Sequence, residues 1–134
     1  MDKFQIIALT PPGLFDPATA IAASRAGGIG ILDLELVEKE EDTEDALKKL
    51  KRHAHNSYGV RLDLERHTWI PKVISRLPRG TGYVILVGSG GEGVAEHVKA
   101  FHDRGIVVLW ESRSLDHARH GTDAGVDGLI AKGN

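Results

Sequence analysis

Residues 104–110 read Arg104-Gly105-Ile106-Val107-Val108-Leu109-Trp110, and the fold turns on how this stretch is understood. A basic residue and a glycine lead into an apolar run too short for a helix and with no polar alternation. Such a run fits a strand covered on both faces, as in a parallel sheet. The same phrase recurs as Ala26-Gly27-Gly28-Ile29, Arg79-Gly80-Thr81-Gly82 and Ala124-Gly125-Val126-Asp127. Each lies between an amphipathic segment and an apolar one. The glycine lets the chain adopt a positive φ at a helix exit and turn back into a sheet.

Working outward from these junctions gives strands at Phe4–Leu9, Ile29–Leu34, Tyr58–Leu62, Tyr83–Val87, Ile106–Trp110 and Gly128–Ala131. Helices are expected between them. Asp16-Pro17 caps and starts the first, and Gly27-Gly28 stops it. Asp42 or Thr43 caps the second, with Glu44 and Asp45 in its first turn and Lys48, Lys49, Lys51 and Arg52 toward its end, as the helix dipole favours. The acidic run 38–42 then reads as a solvated loop entering this helix. The third spans Thr68 to Leu77, the fourth starts near Gly91 and ends before Gly105, and the fifth starts at Ser114. The spacing of the strands is too long for hairpins and right for helical crossovers. The expected fold class is α/β: parallel βα repeats forming a partial (β/α)8 TIM barrel, about five βα units plus a sixth strand. Residues 1–134 form one incomplete barrel-like domain, since a closed barrel takes roughly 250 residues.

Composition narrows the function. The net charge of −2 over 134 residues gives no basic face for nucleic acid. There is no cysteine, which excludes disulfides and thiolate chemistry. No apolar stretch approaches the ~20 residues that span a bilayer, so a cytoplasmic protein is expected. The seven histidines show no metal-ligand spacing: His117 and His120 share a helix face without a third ligand, and solvated helix positions are expected for them. Trp69 and Trp110 read as packing residues.

Ligands of parallel α/β folds bind at the carboxyl ends of the strands. That rule selects Thr10 to Gly13, Asp33 and Glu35, Arg61 and Asp63, Gly88 to Gly91, Glu111 and Ser112, and Lys132 to Asn134. These groups make either a polar mouth that orients a ligand or a set of mutually paired charges closing the core. Gly88-Ser89-Gly90-Gly91-Glu92-Gly93 also satisfies G-x-G-x-x-G between a strand and a helix, so a nucleotide- or phosphate-binding loop is a second reading.

Residues 124–134, Ala-Gly-Val-Asp-Gly-Leu-Ile-Ala-Lys-Gly-Asn, resemble the sixth-strand signature of the nitronate monooxygenase (2-nitropropane dioxygenase-like) flavin barrels. Ala22–Ile31 is similar to that family's first helix and second strand, and Tyr58–Leu62 to its third strand. The last segment is also similar to versions of this barrel near the start of bacterial type I polyketide synthases. The resemblance implies an FMN-dependent oxidoreductase acting on a small molecule, with this chain as its N-terminal part and inactive alone. The remainder of a longer polypeptide, or a second copy, would cover the sheet edges. It implies cofactor contacts from Pro12, Arg61, Gly88, Gly90, Lys132 and Gly133, with Glu111 and Asp63 as acid–base groups. The family carries proline–methionine where this chain has Pro11-Pro12, asparagine at Arg61, histidine at the glycine cluster and glutamine at Lys132. A degenerate barrel serving for docking or dimerisation is the third reading.

Overall fold

A computed structural model describes residues 4–65 and 70–133. Six parallel strands run in chain order: β1 (Ile7–Leu9), β2 (Ile29–Asp33), β3 (Tyr58–Asp63), β4 (Tyr83–Val87), β5 (Val107–Ser112) and β6 (Gly128–Ala131). Among the described residues five helices make the crossovers: α1 (Ala18–Arg25), α2 (Glu40–His53), α3 (Ile70–Arg76), α4 (Val94–His102) and α5 (Leu115–Asp123). Each strand pairs with the next in sequence. The sheet curls, so that the ends of the two outermost strands, at Leu9 to Pro12 and Ile130 to Lys132, line one cleft. This is a partial (β/α)8 barrel.

The period of two along each strand divides the side chains into two layers. Leu32, Val60, Leu62, Val84, Leu86, Val108 and Trp110 face outward and pack with Ala46, Leu47, Leu50, Val73, Val98 and Phe101 of the helices in one cluster. Ile29, Ile31 and Ile85 face inward and pack with Ile7, Tyr83, Leu109 and Ile130 in a smaller cluster. Further along the inward faces, the apolar residues give way to Asp33, Arg61 and Glu111. Arg61 is the register partner of both Asp33 and Ile85, so the charged layer rests directly on the apolar one.

Glycine at the helix exits has φ values of 92° at Gly27, 70° at Gly105 and 93° at Gly125. The expected turn chemistry holds at these three junctions but not at the fourth. Gly80 has no positive φ, and the constraint there is a neighbour: a Cβ would lie 2.5 Å from the Tyr58 hydroxyl oxygen.

Helix starts depart from the expected positions. Asp16 does accept the Ala18 amide (3.0 Å), but the helix begins at Ala18 with Pro17 just outside. The second helix begins at Glu40, which takes the acidic run 40–42 into its first turn and places Thr43 inside, buried. Lys39 at its N-cap gives no side-chain bond. Glu40 instead pairs with Lys72 (2.8 Å) and Arg76 (3.4 Å) of α3, and Lys72 above all holds its carboxyl below the usual range. The fourth helix starts three residues past Gly91, with Gly93 left-handed at its cap. Ser114 caps α5 as expected, accepting the His117 amide at 3.1 Å. The start of the third helix, and Trp69, lie outside the described residues.

Candidate functional site

Arg61 occupies the centre of the rim. It lies one pleat beyond Gly59 on the inward face of β3, 3% exposed. Its Nε and Nη2 donate to the two oxygens of Glu111 on β5, at 2.9 and 3.1 Å. Its Nη1 donates to Asp33 at the end of β2 (3.0 Å) and to Glu35 just beyond it. Lys132, following β6, pairs with Glu111 Oε1 at 3.1 Å. The Thr10 hydroxyl, after β1, accepts the Asp33 amide at 2.9 Å. Five strands thus contribute to one network whose two cations face three carboxylates.

The electrostatics follow from that arrangement. Burial alone disfavours the charged guanidinium, but bonds to Glu111 and Glu35 and the charges of Asp33 and Glu111 outweigh it and push the Arg61 pKa up. Burial likewise pushes the Glu111 carboxyl up, and bonds and charge from Arg61 and Lys132 together hold it below the usual carboxylate range. A bidentate Arg–carboxylate pair in this setting is strongly directional. Arg61 is therefore spent on its neighbours, whereas the Lys132 side chain is 45% exposed at the open edge of the network.

Two clefts flank it. One, of about 360 Å³, is lined by Leu9, Thr10, Pro12, Ile130 and Lys132 above Arg61 and Glu111. The other, of about 530 Å³, lies across the ends of β3, β4 and β5, lined by Asp63, Glu65, Gly88, Ser89, Arg113 and His117, and it shares Glu111 with the first. Of the residues singled out by sequence, Pro12, Arg61, Glu111 and Lys132 come together in the first cleft. Asp63 and Gly88 border the second, where Asp63 accepts the Glu65 amide at 2.9 Å. Gly90 (φ 83°) packs toward His120 instead, in a separate groove. Gly133 is exposed and has no neighbour within 4 Å of where its Cβ would lie.

His117 is the residue sequence reasoning missed. It is not a solvated helix position. Its Nε2 lies 2.6 Å from the Gly88 carbonyl, Arg113 N–H approaches its Nδ1 at 3.4 Å, and its ring meets Trp110 edge-on at 5.0 Å. The short contact to a carbonyl requires Nε2 to carry the proton, leaving Nδ1 as acceptor. His117 therefore fastens the β4–α4 loop to α5. Its place in the first turn after Ser114, facing back to the end of β5, was the available signal. His55 lies beyond α2 and approaches Arg25 Nη2 at 3.2 Å. Among the described residues no group of three or more His, Asp or Glu side chains could hold a metal.

The glycine loop is poorly furnished for phosphate. Glu65 already accepts the Ser89 amide at 2.9 Å. Glu92, Glu96 and Asp123 line the surface around Gly90 to Gly93. Carboxylates there oppose a second anion. Among the described residues no helix is long and apolar enough to cross a membrane.

No family model matches the sequence, and no curated protein matches it. Solved structures do resemble it. A mutant form of FabK from Thermotoga maritima aligns with a TM-score of 0.77 at 23% identity, covering 96% of this chain and 42% of that one. FabK from the same organism gives 0.75 at 23%, covering 95% and 40%. Nitroalkane oxidase from Streptomyces ansochromogenes gives 0.73 at 17%, covering 95% and 46%. The chain thus spans less than half the length of these proteins, and the likeness is one of fold: a parallel βα barrel, here represented by six of its strands.

Proposed function

We propose that this chain is the N-terminal part of an FMN-dependent oxidoreductase barrel similar to the nitronate monooxygenases, acting on a small molecule. The observation that carries the reading is the cleft over Arg61 and Glu111, where apolar Leu9, Pro12 and Ile130 flank the part-exposed ammonium of Lys132. An isoalloxazine ring suits apolar walls and a cation near its carbonyl edge, where negative charge gathers on reduction, and these residues fit it. At the rim no described cluster of residues fits its phosphate, because the glycine-rich loop there is ringed by carboxylates. FMN, when bound, supplies two-electron oxidation of the substrate. Lys132 would hold the ring edge, and Glu111 orients Lys132 through their 3.1 Å pair. Arg61 keeps Glu111 ionised and fixed. Asp63, on the wall of the larger cleft, would handle substrate protons, and Glu111, held ionised on the same wall, could only accept one. The fold shared with FabK and nitroalkane oxidase supports the reading.

The remaining strands would come from a longer polypeptide, with attachment to a polyketide synthase and a cytoplasmic location as parts of the same proposal. The test is flavin-band absorbance that stays with the protein after unbound FMN is removed by desalting, for the longer parent protein and its Lys132→Met variant. Binding that weakens in the variant is expected. A parent protein that stays colourless would refute the proposal. One observation favours a second reading, a barrel kept for docking: Arg61, at the centre of the rim, is engaged by three carboxylates. Nucleotide binding at Gly88–Gly93 predicts NAD(P) affinity lost in Gly90→Asp, and the acidic surroundings of the loop speak against it.

A further inference from the structure

The outer surface carries a second concave site, away from the rim. Between α2 and the end of α3 lies a cleft of about 330 Å³, lined by Leu47, Lys48, Lys51, Arg76, Leu77, Pro78 and Arg79, with Glu44 on one lip. That size falls at the small end of ligand pockets, about 300–1,000 Å³. Four cations thus meet one carboxylate, in a chain whose net charge is −2.

Basic residues near helix ends often do no more than offset terminal carbonyls. That explanation fails at α3, because Arg104 donates to the carbonyls of Ile74 and Leu77 and occupies that end. Ion pairs engage only two of the four, Arg76 with Glu40 at 3.4 Å and Lys48 with Glu44. Lys51 and Arg79 are exposed and have no ion-pair partner among the described residues. Lys48 pairs only with Glu44, at 3.3 Å on an exposed helix face, a contact easily exchanged for a better anion. On the other side of Arg76, Thr43 is 2% exposed and its hydroxyl has no hydrogen-bond partner, in a separate small recess with Glu40 and Lys72. The floor is apolar: Leu47, Leu77 and Pro78 are all buried.

We infer that this cleft binds a phosphorylated small molecule, its phosphates held by Lys51, Arg76 and Arg79 and its apolar part resting on Leu47, Leu77 and Pro78. Phosphate suits a convergent set of Lys and Arg because each charge-assisted bond adds to the same anion. The inference is independent of the flavin proposal.

Amide-resolved NMR titration of the full chain with pyrophosphate tests it, alongside Lys51→Glu/Arg79→Glu and a control, Lys99→Glu, on the exposed face of α4. Both charge reversals alter surface residues, so folding is retained and checked by the unperturbed amides of β3 and β4. Saturable shifts confined to residues 44–51 and 76–79, weakened about tenfold or more in the double variant and unchanged in the control, are expected. Phenyl phosphate should bind more tightly than inorganic phosphate at the same amides. Non-saturating shifts, equal loss in the control, or no gain from the phenyl group would overturn the inference.

Discussion

Replacing Arg61 by Met removes one charge from the inward face while keeping most of the side chain's apolar volume. Asp33 and Glu111 would then remain, with side chains 5% and 7% exposed and 28 and 50 residues away in sequence, held together by the sheet. Glu35 is less confined and can turn to water, and Lys132 still faces Glu111. Breaking a buried ionic group by deleting one partner typically costs about 3–5 kcal/mol. Lys132 offsets part of this, so about 3 kcal/mol at pH 7 is expected, a large share of the ~5–15 kcal/mol of an ordinary domain.

The pH dependence carries the diagnostic sign. In the parent chain Glu111 titrates below its unfolded value, so its contribution is fully present above about pH 4.5 and is lost as pH falls through the lower folded value. In the variant the crowded carboxylates have lost their main cation, and burial disfavours their charged forms. Their penalty is then largest at neutral pH and disappears as they protonate. Urea unfolding followed by circular dichroism at pH 7 and pH 4 measures both quantities. The gap between parent and variant should narrow by at least half at the lower pH. A loss below about 1 kcal/mol at pH 7, or a gap that does not change with pH, would refute the buried-network account.

Other expectations follow from close packing and from a single half-exposed carboxylate. In Gly30→Ala, the new Cβ would lie 1.9 Å from the Ala20 carbonyl oxygen, so α1 must shift off β2; a loss of about 1–3 kcal/mol should appear as a lower melting temperature. In Gly121→Ala, the methyl would lie 2.4 Å from Trp110 Cδ1, and a similar loss should come with altered tryptophan fluorescence. Asp127 accepts the Val108 amide at 2.7 Å, and this bond, more than His102 at 2.8 Å, holds its carboxyl low. Asp127→Asn should cost about 0.5–1 kcal/mol above about pH 4, fading as the parent carboxyl protonates, by urea titration across pH.

The strands were legible because their cause is local. Tyr83–Val87 and Gly128–Ala131 coincide with the expected bounds, and the apolar runs between glycine junctions could be little else. The second helix was misplaced for a reason no local rule contains. Its start is held by Glu40 gripping Lys72 and Arg76 about thirty residues away, so a capping side chain at Asp42 or Thr43 was never needed. The strand-end rule gathered the right polar residues at the rim, yet periodicity assigns faces without choosing partners. That Arg61 would join Glu111 across β4 depends on register and curl. His117 escaped notice because its role is to a backbone carbonyl 29 residues earlier, which leaves no mark in residue type.

The grip of Arg104 on the end of α3 has a consequence for how such chains recombine. This arginine belongs to the junction after α4, yet it closes a helix that precedes β4. A single strand–helix cassette excised at its glycines would leave carbonyls bare at one cut and a guanidinium stranded at the other. Inheritance by duplication or shuffling therefore favours blocks of at least two cassettes, with the seam placed where no side chain reaches back across a neighbour.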